Sequence, residues 1–338
     1  MRIDRSFLAA GLSLLLLSLS CNGTPAQVEV FDERWESRAP MPDARTEVSV
    51  TTDGQLLYVI GGFGQGGGAP RAMHVYDPGA DAWSTAGPIP QGVNHAGFVR
   101  LEGKLYIVGG FREDTFEPTG ALRIYDLATR VWSDGPPLPT ARGALAAVVL
   151  DGRIHAIGGN AANAGSLDPA AHNIARDQSS VGTHEVYDPT AHAWTRLAPM
   201  RTARNHLGAA VVDGKIYAVG GRVADDFTMT AHEVYDPATD TWTEAPDLPT
   251  GRSGIAVVAH EARVYVFGGE TFGGTQKTFE EAERFDVTRN DWEALPPMPT
   301  PRHGLGAAAI ADRIYVVSGG PQPGFAFSTA NEALIVGN

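Results

Sequence analysis

Residues 203–249 read ARNHLGAAVVDGKIYAVGGRVADDFTMTAHEVYDPATDTWTEAPDLP, and this stretch decides the fold of the chain. Its two apolar runs, LGAAVV and KIYAV, flank Asp213-Gly214, and such a pair between apolar runs is a strong signal for a β-hairpin. HEVYD and the segment around Trp242 add two further short runs, bounded by Gly, Pro and Asp. Short runs rich in Val, Ile and Tyr favour strands over helices. The stretch therefore predicts four short antiparallel strands, which we name a to d in chain order.

Copies of this unit fill most of the chain. Six tryptophans mark strand d of the copies: Trp35, Trp83, Trp132, Trp194, Trp242 and Trp292. Six double glycines follow strand b: Gly61-Gly62, Gly109-Gly110, Gly158-Gly159, Gly220-Gly221, Gly268-Gly269 and Gly319-Gly320. The steps between successive tryptophans are 48, 49, 62, 48 and 50 residues. A period of this size is typical of solenoids, propellers and repeat arrays.

The double glycine, the HEVYDP-like strand c and the spaced tryptophan together resemble the kelch repeat over about residues 28–338. Kelch repeats form the blades of β-propellers, so the resemblance implies an all-β fold of six four-stranded antiparallel blades. No strands a to c precede Trp35, and the last copy stops at Asn338 without a tryptophan. We expect the segment around Trp35 to form the outer strand of the last blade and so to close the ring.

The first residues predict an export signal. The apolar run Phe7–Leu19 is too short to span a bilayer and fits the core of a secretory signal. Cys21, the single cysteine, lies where such a signal is cut, which resembles a bacterial lipoprotein signal, although Ser18 stands where that motif usually has Leu. A plain cleaved signal with an incidental cysteine is the alternative. The expected domains are a signal at 1–20, a tether at 21–27 and the propeller at 28–338.

This signal predicts a location outside the cytoplasm, either in the cell envelope through a lipid on Cys21 or secreted. The chain has 26 Lys and Arg against 39 Asp and Glu, a net charge of −13, which argues against nonspecific nucleic-acid binding. We expect a monomer whose contact with a membrane is limited to its lipid.

Neither a cofactor nor a metal ion is expected. The ten histidines show no paired ligand spacing. Galactose oxidase has a kelch-type propeller and a copper site with a Tyr–Cys crosslink, but Cys21 is the only thiol in this chain and lies in the predicted signal region.

An arginine opens the region of strand a in five units: Arg45, Arg142, Arg204, Arg252 and Arg302. The second unit has Val93 instead. In kelch blades strand a is innermost, so these arginines are predicted to surround the mouth of the central channel. They lie on the face where the d–a and b–c loops open, which we call the loop face. Arginine binds carboxylates and phosphates in a bidentate fork, so the arginines predict a rim for an acidic ligand. The alternative is structural, since arginine is common at this position in kelch repeats and can bridge neighbouring blades.

Other polar residues stand beside the arginines: Asn94-His95, Asn205-His206 and His303. They are less regular across the units and are therefore better markers of a ligand site. Glu47, His95 and His206 are the candidates for proton transfer. An insertion at about 160–182 in the third unit accounts for the 62-residue step and falls on the same face. It is either a functional loop or disordered.

Two functions fit these patterns. The first is a noncatalytic binding module that presents the loop face to a protein or a glycan, as the resemblance to kelch proteins implies. The second is an enzyme, a mutarotase or epimerase on an acidic sugar, similar to the kelch-type sialic acid mutarotases. That enzyme needs rim arginines for the sugar carboxylate and one of Glu47, His95 or His206 for proton transfer.

Overall fold

The computed structural model describes residues 33–336, except Gly67, Asp114, residues 162–179 and Gly273. The predicted signal, Cys21 and the predicted tether lie outside the described residues, as does most of the predicted insertion at 160–182. Within the described part of the chain, no helix is long and apolar enough to cross a membrane.

Six antiparallel sheets of four strands each confirm the predicted all-β, six-bladed propeller. The a strands are Ser49–Thr52, Gly97–Leu101, Ala146–Leu150, Gly208–Val212, Ala256–His260 and Gly306–Ile310. The b strands are Leu57–Ile60, Lys104–Val108, Arg153–Ile157, Lys215–Val219, Arg263–Phe267 and Arg313–Val317. The c strands are Ala72–Asp77, Leu122–Asp126, His184–Asp188, His232–Asp236, Ala282–Asp286 and Asn331–Ile335. The d strands are Ala82–Pro88, Val131–Asp134, Ala193–Leu197, Thr241–Glu244, Asp291–Ala294 and Arg34–Ser37.

Short two-residue ladders lie above some blades, on the loop face. They pair Arg45–Thr46 with Phe63–Gly64, Val93–Asn94 with Phe111–Arg112, and Glu270–Thr271 with Lys277–Thr278. In other blades isolated bridges take the place of the first two ladders, for example between Asn205 and Arg222 and between His303 and Gly320. Except in the ladder between Glu270–Thr271 and Lys277–Thr278, which lies within one b–c loop, a residue just before strand a pairs with a residue that follows the double glycine or its equivalent, as Ser253 does with Glu270 in the fifth blade.

The a strands of neighbouring blades contact one another around a closed ring, so strand a is innermost, as expected. Small residues allow this approach: a Cβ added to Gly208 would lie 2.2 Å from Cγ2 of Val257 in the next blade. The apolar core consists of six clusters, each shared by two neighbouring blades. Each interface between blades is therefore a small hydrophobic core of its own.

Five of the six repeated tryptophans connect their blade to the preceding one through a hydrogen bond. The indole N–H donates to a carbonyl in the exit from the preceding d strand: Trp35 to Pro296, Trp83 to Ala39, Trp194 to Pro136, Trp242 to Ala198 and Trp292 to Pro246. Trp242 is buried and the other four are half-buried, and each indole N–H has a hydrogen-bond partner, as is usual for a tryptophan in an apolar interface.

The double glycine makes a second tie, to the following blade. Gly159, with φ +104°, donates its N–H to the carbonyl of Arg204 at 2.9 Å. In the last blade the sequence prediction of Gly319-Gly320 is off by one residue, since Ser318 and Gly319 have the equivalent φ values of 62° and 102°. Gly319 donates to the Arg45 carbonyl, and the Ser318 hydroxyl donates to the same oxygen at 2.8 Å.

The N-terminal strand closes the ring, as predicted. Arg34–Ser37 pairs antiparallel with Asn331–Ile335 and places Trp35 opposite Leu334. In most of the other blades the tryptophan lies opposite a tyrosine, as Trp194 does opposite Tyr187. The Trp35 ring also meets Phe267 edge-on, with 5.7 Å between ring centroids.

The Trp35→Ala variant tests this closure. We expect it to lower the free energy of unfolding by about 3–5 kcal/mol, because a large aromatic is removed from the last interface and the Pro296 carbonyl loses its donor. Urea unfolding followed by far-ultraviolet circular dichroism measures the change.

The control is Arg34→Ala on the same strand, whose side chain is 59% exposed. We expect it to change the free energy of unfolding by less than about 0.5 kcal/mol. Equal effects of the two variants would contradict closure through the Trp35 contacts.

Candidate functional site

The five arginines predicted to form a rim are buried. Arg45, Arg142, Arg204, Arg252 and Arg302 each have 0% of their surface exposed. They do precede the innermost strands, as expected, but their guanidinium groups lie inside the blades rather than at the mouth of the channel.

Arg142 shows how the guanidinium is held. Its Nε donates to the Gly158 carbonyl at 2.8 Å and its Nη2 to the Ala156 carbonyl at 2.9 Å. Its Nη1 donates to the Thr140 carbonyl and to Oε2 of Glu185, a residue of strand c that is also buried. All of these partners belong to the same blade, so the arginine staples the start of strand a to strands b and c.

The same arrangement recurs in three other blades. Arg204 pairs with Glu233, Arg252 with Glu283 and Arg302 with Glu332, each at 2.5 Å. The expected bridge between neighbouring blades is therefore replaced by a pair within each blade. Buried charges are stable only when paired and hydrogen-bonded, and these guanidiniums meet that condition without a ligand.

The first two blades depart from the pattern in a matched way. Arg45 pairs with Asp43, and His74, which stands where other blades have the glutamate, also contacts Asp43. In the second blade Val93 replaces the arginine, and Arg123 replaces the glutamate and pairs with Asp134 instead. Where the arginine is absent, its buried acidic partner is absent too.

A ring of backbone hydrogen bonds surrounds the propeller axis two residues after the arginine position. Its members all have positive φ, between 51° and 65°: Glu47, His95, Ala144, His206, Gly254 and Gly304. Ala144 donates to the carbonyl of His95 and His206 donates to that of Ala144, each at 2.9 Å. Non-glycine residues with positive φ are uncommon and often mark functional positions.

Six ionisable side chains meet beside this ring, and we call them the axial cluster: Glu47, His95, His206, Arg222, Glu270 and His303. Nε2 of His95 is 3.1 Å from Oε2 of Glu47. Nε2 of His303 lies 3.6 Å from Oε1 of Glu47 and 3.4 Å from Oε2 of Glu270. Arg222 donates to Oε1 of Glu270 and to Nε2 of His206, both at 2.9 Å. Five blades thus contribute to one polar centre.

The three imidazoles have their second nitrogen held by an oxygen. Nδ1 of His95 is 2.7 Å from Oδ1 of Asn94, and Nδ1 of His206 is 2.5 Å from Oδ1 of Asn205. Nδ1 of His303 is 3.1 Å from the Gly320 carbonyl. An oxygen partner keeps the proton on Nδ1, so in the neutral rings the lone pair lies on Nε2.

Burial raises the pKa of Glu47 to about 7, because its carboxylate loses hydration; His303 and Arg222 oppose this shift, and Glu270 adds to it. This carboxyl can therefore gain or lose a proton near neutral pH. The axial cluster has the chemistry for proton transfer or for holding a cation.

The structure brings together Glu47, His95, His206 and His303, which the sequence singled out separately, with Asn94 and Asn205 supporting the histidines. Arg222 and Glu270 also belong to the site, although neither was predicted as a site residue. Both directly follow a double glycine, and both pair with a residue just before strand a near the mouth of the channel. The residue after the double glycine is therefore the sequence position that could have identified them.

A group of aromatic rings borders the axial cluster. Phe325 is 38% exposed, and its ring centroid lies 5.3 Å from that of Phe63. Phe63 stacks on Phe116 at 5.3 Å and meets His95 at 5.8 Å. We call Phe63, Phe116 and Phe325 the aromatic ledge. It combines b–c loops of three blades on the loop face.

Comparison with known proteins finds kelch repeats along most of the chain. Residues 44–90 and 92–139 each match the family described as Kelch motif, and residues 175–320 match the KLHDC2/KLHL20/DRC7 Kelch-repeats domain. Kelch-like protein 34 of Homo sapiens is 28% identical over 200 residues, covering 58% of this chain and 29% of that protein. Kelch-like protein 35 of Mus musculus is 36% identical over 86 residues, covering 25% of this chain and 15% of that protein.

A short match joins the chain to Kelch-like ECH-associated protein 1A of Danio rerio, 46% identical over 46 residues, which is 14% of this chain and 8% of that protein. The chain thus spans less than a third of the length of these curated relatives. The similarity to these relatives therefore covers only part of each of them.

The buried pair predicts an asymmetric response to mutation. We expect Arg142→Met to lower the free energy of unfolding by about 3–5 kcal/mol, because Glu185 is left as a buried charge without a partner. The double variant Arg142→Met/Glu185→Gln should recover part of this loss, since the unpaired charge is gone. Urea unfolding of the two variants measures the difference.

An exposed pair provides the control. Arg201 and Glu244 are 3.3 Å apart with side chains 57% and 74% exposed. Arg201→Met should cost less than about 1 kcal/mol. A double variant less stable than Arg142→Met alone would contradict the role of the unpaired carboxylate.

Proposed function

Because the chain belongs to the kelch-repeat β-propeller proteins, we propose that it is a noncatalytic binding module whose loop face holds a protein partner. The observation that carries this proposal is the aromatic ledge beside the axial cluster. Binding energy at protein interfaces concentrates in a few aromatic and arginine side chains, and the loop face offers Phe325 next to an ionisable centre.

The site is built on a rigid base. In five blades the backbone hydrogen bond after strand b and the buried arginine hold the b–c loop at its base, so a partner meets loops whose bases are already ordered. Preordered loops lose little conformational entropy on binding. This favours a propeller that recognises a partner over one that acts only as a spacer.

The relatives support a protein as the partner. One of them, Kelch-like ECH-associated protein 1A, is named for association with another protein. A glycan is the other ligand that fits the repeat family in principle, but no side chain of the aromatic ledge carries a polar group for a sugar hydroxyl. We therefore commit to a protein segment.

We do not propose the sugar-acid enzyme. It needs arginines that hold a carboxylate, and the five predicted ones have no exposed surface and are bonded within their blades. Arg222 is the arginine of the axial cluster, and it already pairs with Glu270.

The binding module is proposed to act outside the cytoplasm. The support is the apolar run at Phe7–Leu19 followed by Cys21. A lipid on Cys21 would tether the propeller to a membrane surface.

The Phe325→Ala variant tests the loop face. Peptides from a random phage-displayed library are selected on the immobilised wild-type chain, synthesised and titrated calorimetrically. We expect Phe325→Ala to weaken their binding at least about 10-fold, because an exposed aromatic contact at an interface is typically worth more than 1 kcal/mol.

Val131→Ala is the matched control, since Val131 is 60% exposed and follows the c–d turn on the opposite face. It should leave peptide binding unchanged. Peptides that bind both variants as tightly as the wild type would disprove the loop-face proposal, and binding of arrayed glycans without binding of any peptide would disprove a protein partner.

Labelling with radioactive palmitate tests the tether. The chain expressed in a bacterium should incorporate the label in its membrane fraction, and Cys21→Ser should abolish incorporation. A wild-type chain that is exported without label would favour the plain cleaved signal.

A further inference from the structure

The axial cluster contains two sets of side chains with metal-ligand chemistry. Glu47, His95 and His206 form one set, and Glu47, Glu270 and His303 form the other; within each set the ligand atoms all lie within 4.8 Å of one another. Glu47 belongs to both sets. The sequence predicted no metal because these residues come from separate blades and have no paired spacing along the chain.

We propose that Glu47, His95 and His206 bind a divalent transition-metal ion at the propeller axis. Two imidazoles and one carboxylate are the donor set of many zinc and iron(II) sites that keep coordination positions open. The His95 and Glu47 ligand atoms are 3.1 Å apart. This is close to the about 3.3 Å between neighbouring ligand atoms of a tetrahedral site with bonds of about 2 Å.

The surroundings of the two histidines match those of metal ligands. Each ring has Nδ1 held by the side-chain oxygen of the preceding asparagine, Asn94 or Asn205. Metal-bound histidines almost always donate their other N–H to such an oxygen, which fixes the tautomer and turns the lone pair of Nε2 towards the ion. The same Asn-His pair occurs in the second and fourth blades, across the ring position of Ala144.

Ala144 makes this meeting possible. It occupies the position between the two histidines in the backbone ring, and its small side chain lets their rings approach to 4.7 Å between centroids. A bulky residue in the third blade would separate them. The arrangement therefore depends on an alternation of His, Ala and His around the axis.

Access favours this set over the one with Glu270. The side chains of Glu47 and His95 are 12% and 13% exposed, whereas those of His303 and Glu270 are 1% and 3% exposed. A hydrated ion can therefore reach the first set more readily.

Arg222 makes the proposal sharply testable. Its Nη2 is 2.9 Å from Nε2 of His206, so the guanidinium and a metal ion compete for one lone pair. Arg222 also donates from Nη1 to Glu270, and this bond can hold the guanidinium in place when Nε2 of His206 binds the ion instead. Replacing Arg222 by a neutral residue of similar size should remove the competitor and one nearby positive charge.

The experiment is titration of the full chain, purified without a histidine tag and freed of metal with a chelator, with Zn²⁺ by calorimetry and with Co²⁺ by visible absorption. We expect one equivalent to bind. His95→Ala and His206→Ala should each weaken binding by roughly 100-fold or more, and Asn94→Ala and Asn205→Ala by about 10–100-fold. Arg222→Met should tighten it by about 10-fold.

The histidine variants are expected to fold, because alanine already occupies the equivalent ring position at Ala144 with a φ of 51°. His192→Ala, in a c–d turn, is the matched control and should bind as the wild type does. Equal binding by wild type and the double variant His95→Ala/His206→Ala would overturn the proposal, as would absence of binding by the wild type. Unchanged or weaker binding by Arg222→Met would exclude His206 as a ligand.

Discussion

In five blades a buried guanidinium just before strand a fixes the position of that strand relative to its neighbours in the blade. It bonds the carbonyls that end strand b and, in four blades, a glutamate of strand c, so three strands are fixed by one side chain. The carbonyl of the same residue accepts the N–H of the double glycine from the preceding blade. One residue therefore sets both the internal geometry of a blade and its spacing from the neighbour. A buried ion pair of this kind adds little to net stability, because removing both charges from water offsets much of their attraction, whereas breaking the pair is costly.

Most of the fold could be predicted from the sequence because the repeat supplies six readings of the same unit. Asp213-Gly214, the tryptophan spacing and the position of Trp35 near the start of the repeats each have a local physical meaning, and the structure agrees with the hairpin and the ring closure that they predict. The one register error, at Ser318-Gly319, arose because a serine adopts the positive φ expected of glycine and compensates with a hydroxyl bond to Arg45. Such compensation depends on a partner about 270 residues away, which no local pattern reveals.

The site was predicted less well, and for a physical reason. Sequence reasoning located the residues near the mouth but not the direction of their side chains. The arginine side chains are buried within their blades because they pair with Glu185 and its equivalents on strand c. This pairing could not be predicted without the register of the strands. Arg222 and Glu270 turn towards the axis because the double glycine before each redirects the chain. The position of a residue in the repeat thus predicts how close it lies to the propeller axis. Its hydrogen-bond partner on a neighbouring strand decides whether its side chain is buried in a structural pair or is available to a ligand.

The pairing of Arg34–Ser37 with Asn331–Ile335 also has a consequence for synthesis of the chain. The two strands are about 300 residues apart in sequence, so the first is synthesised long before the strand that it pairs with. At roughly 5–20 residues per second this interval is about 15–60 s, during which five complete blades can form while the sixth lacks its outer edge. The ring cannot close until Asn331–Ile335 has left the ribosome and pairs with Arg34–Ser37. Closure of the propeller is therefore timed by completion of the C-terminal strand, although the strand that it pairs with is made first.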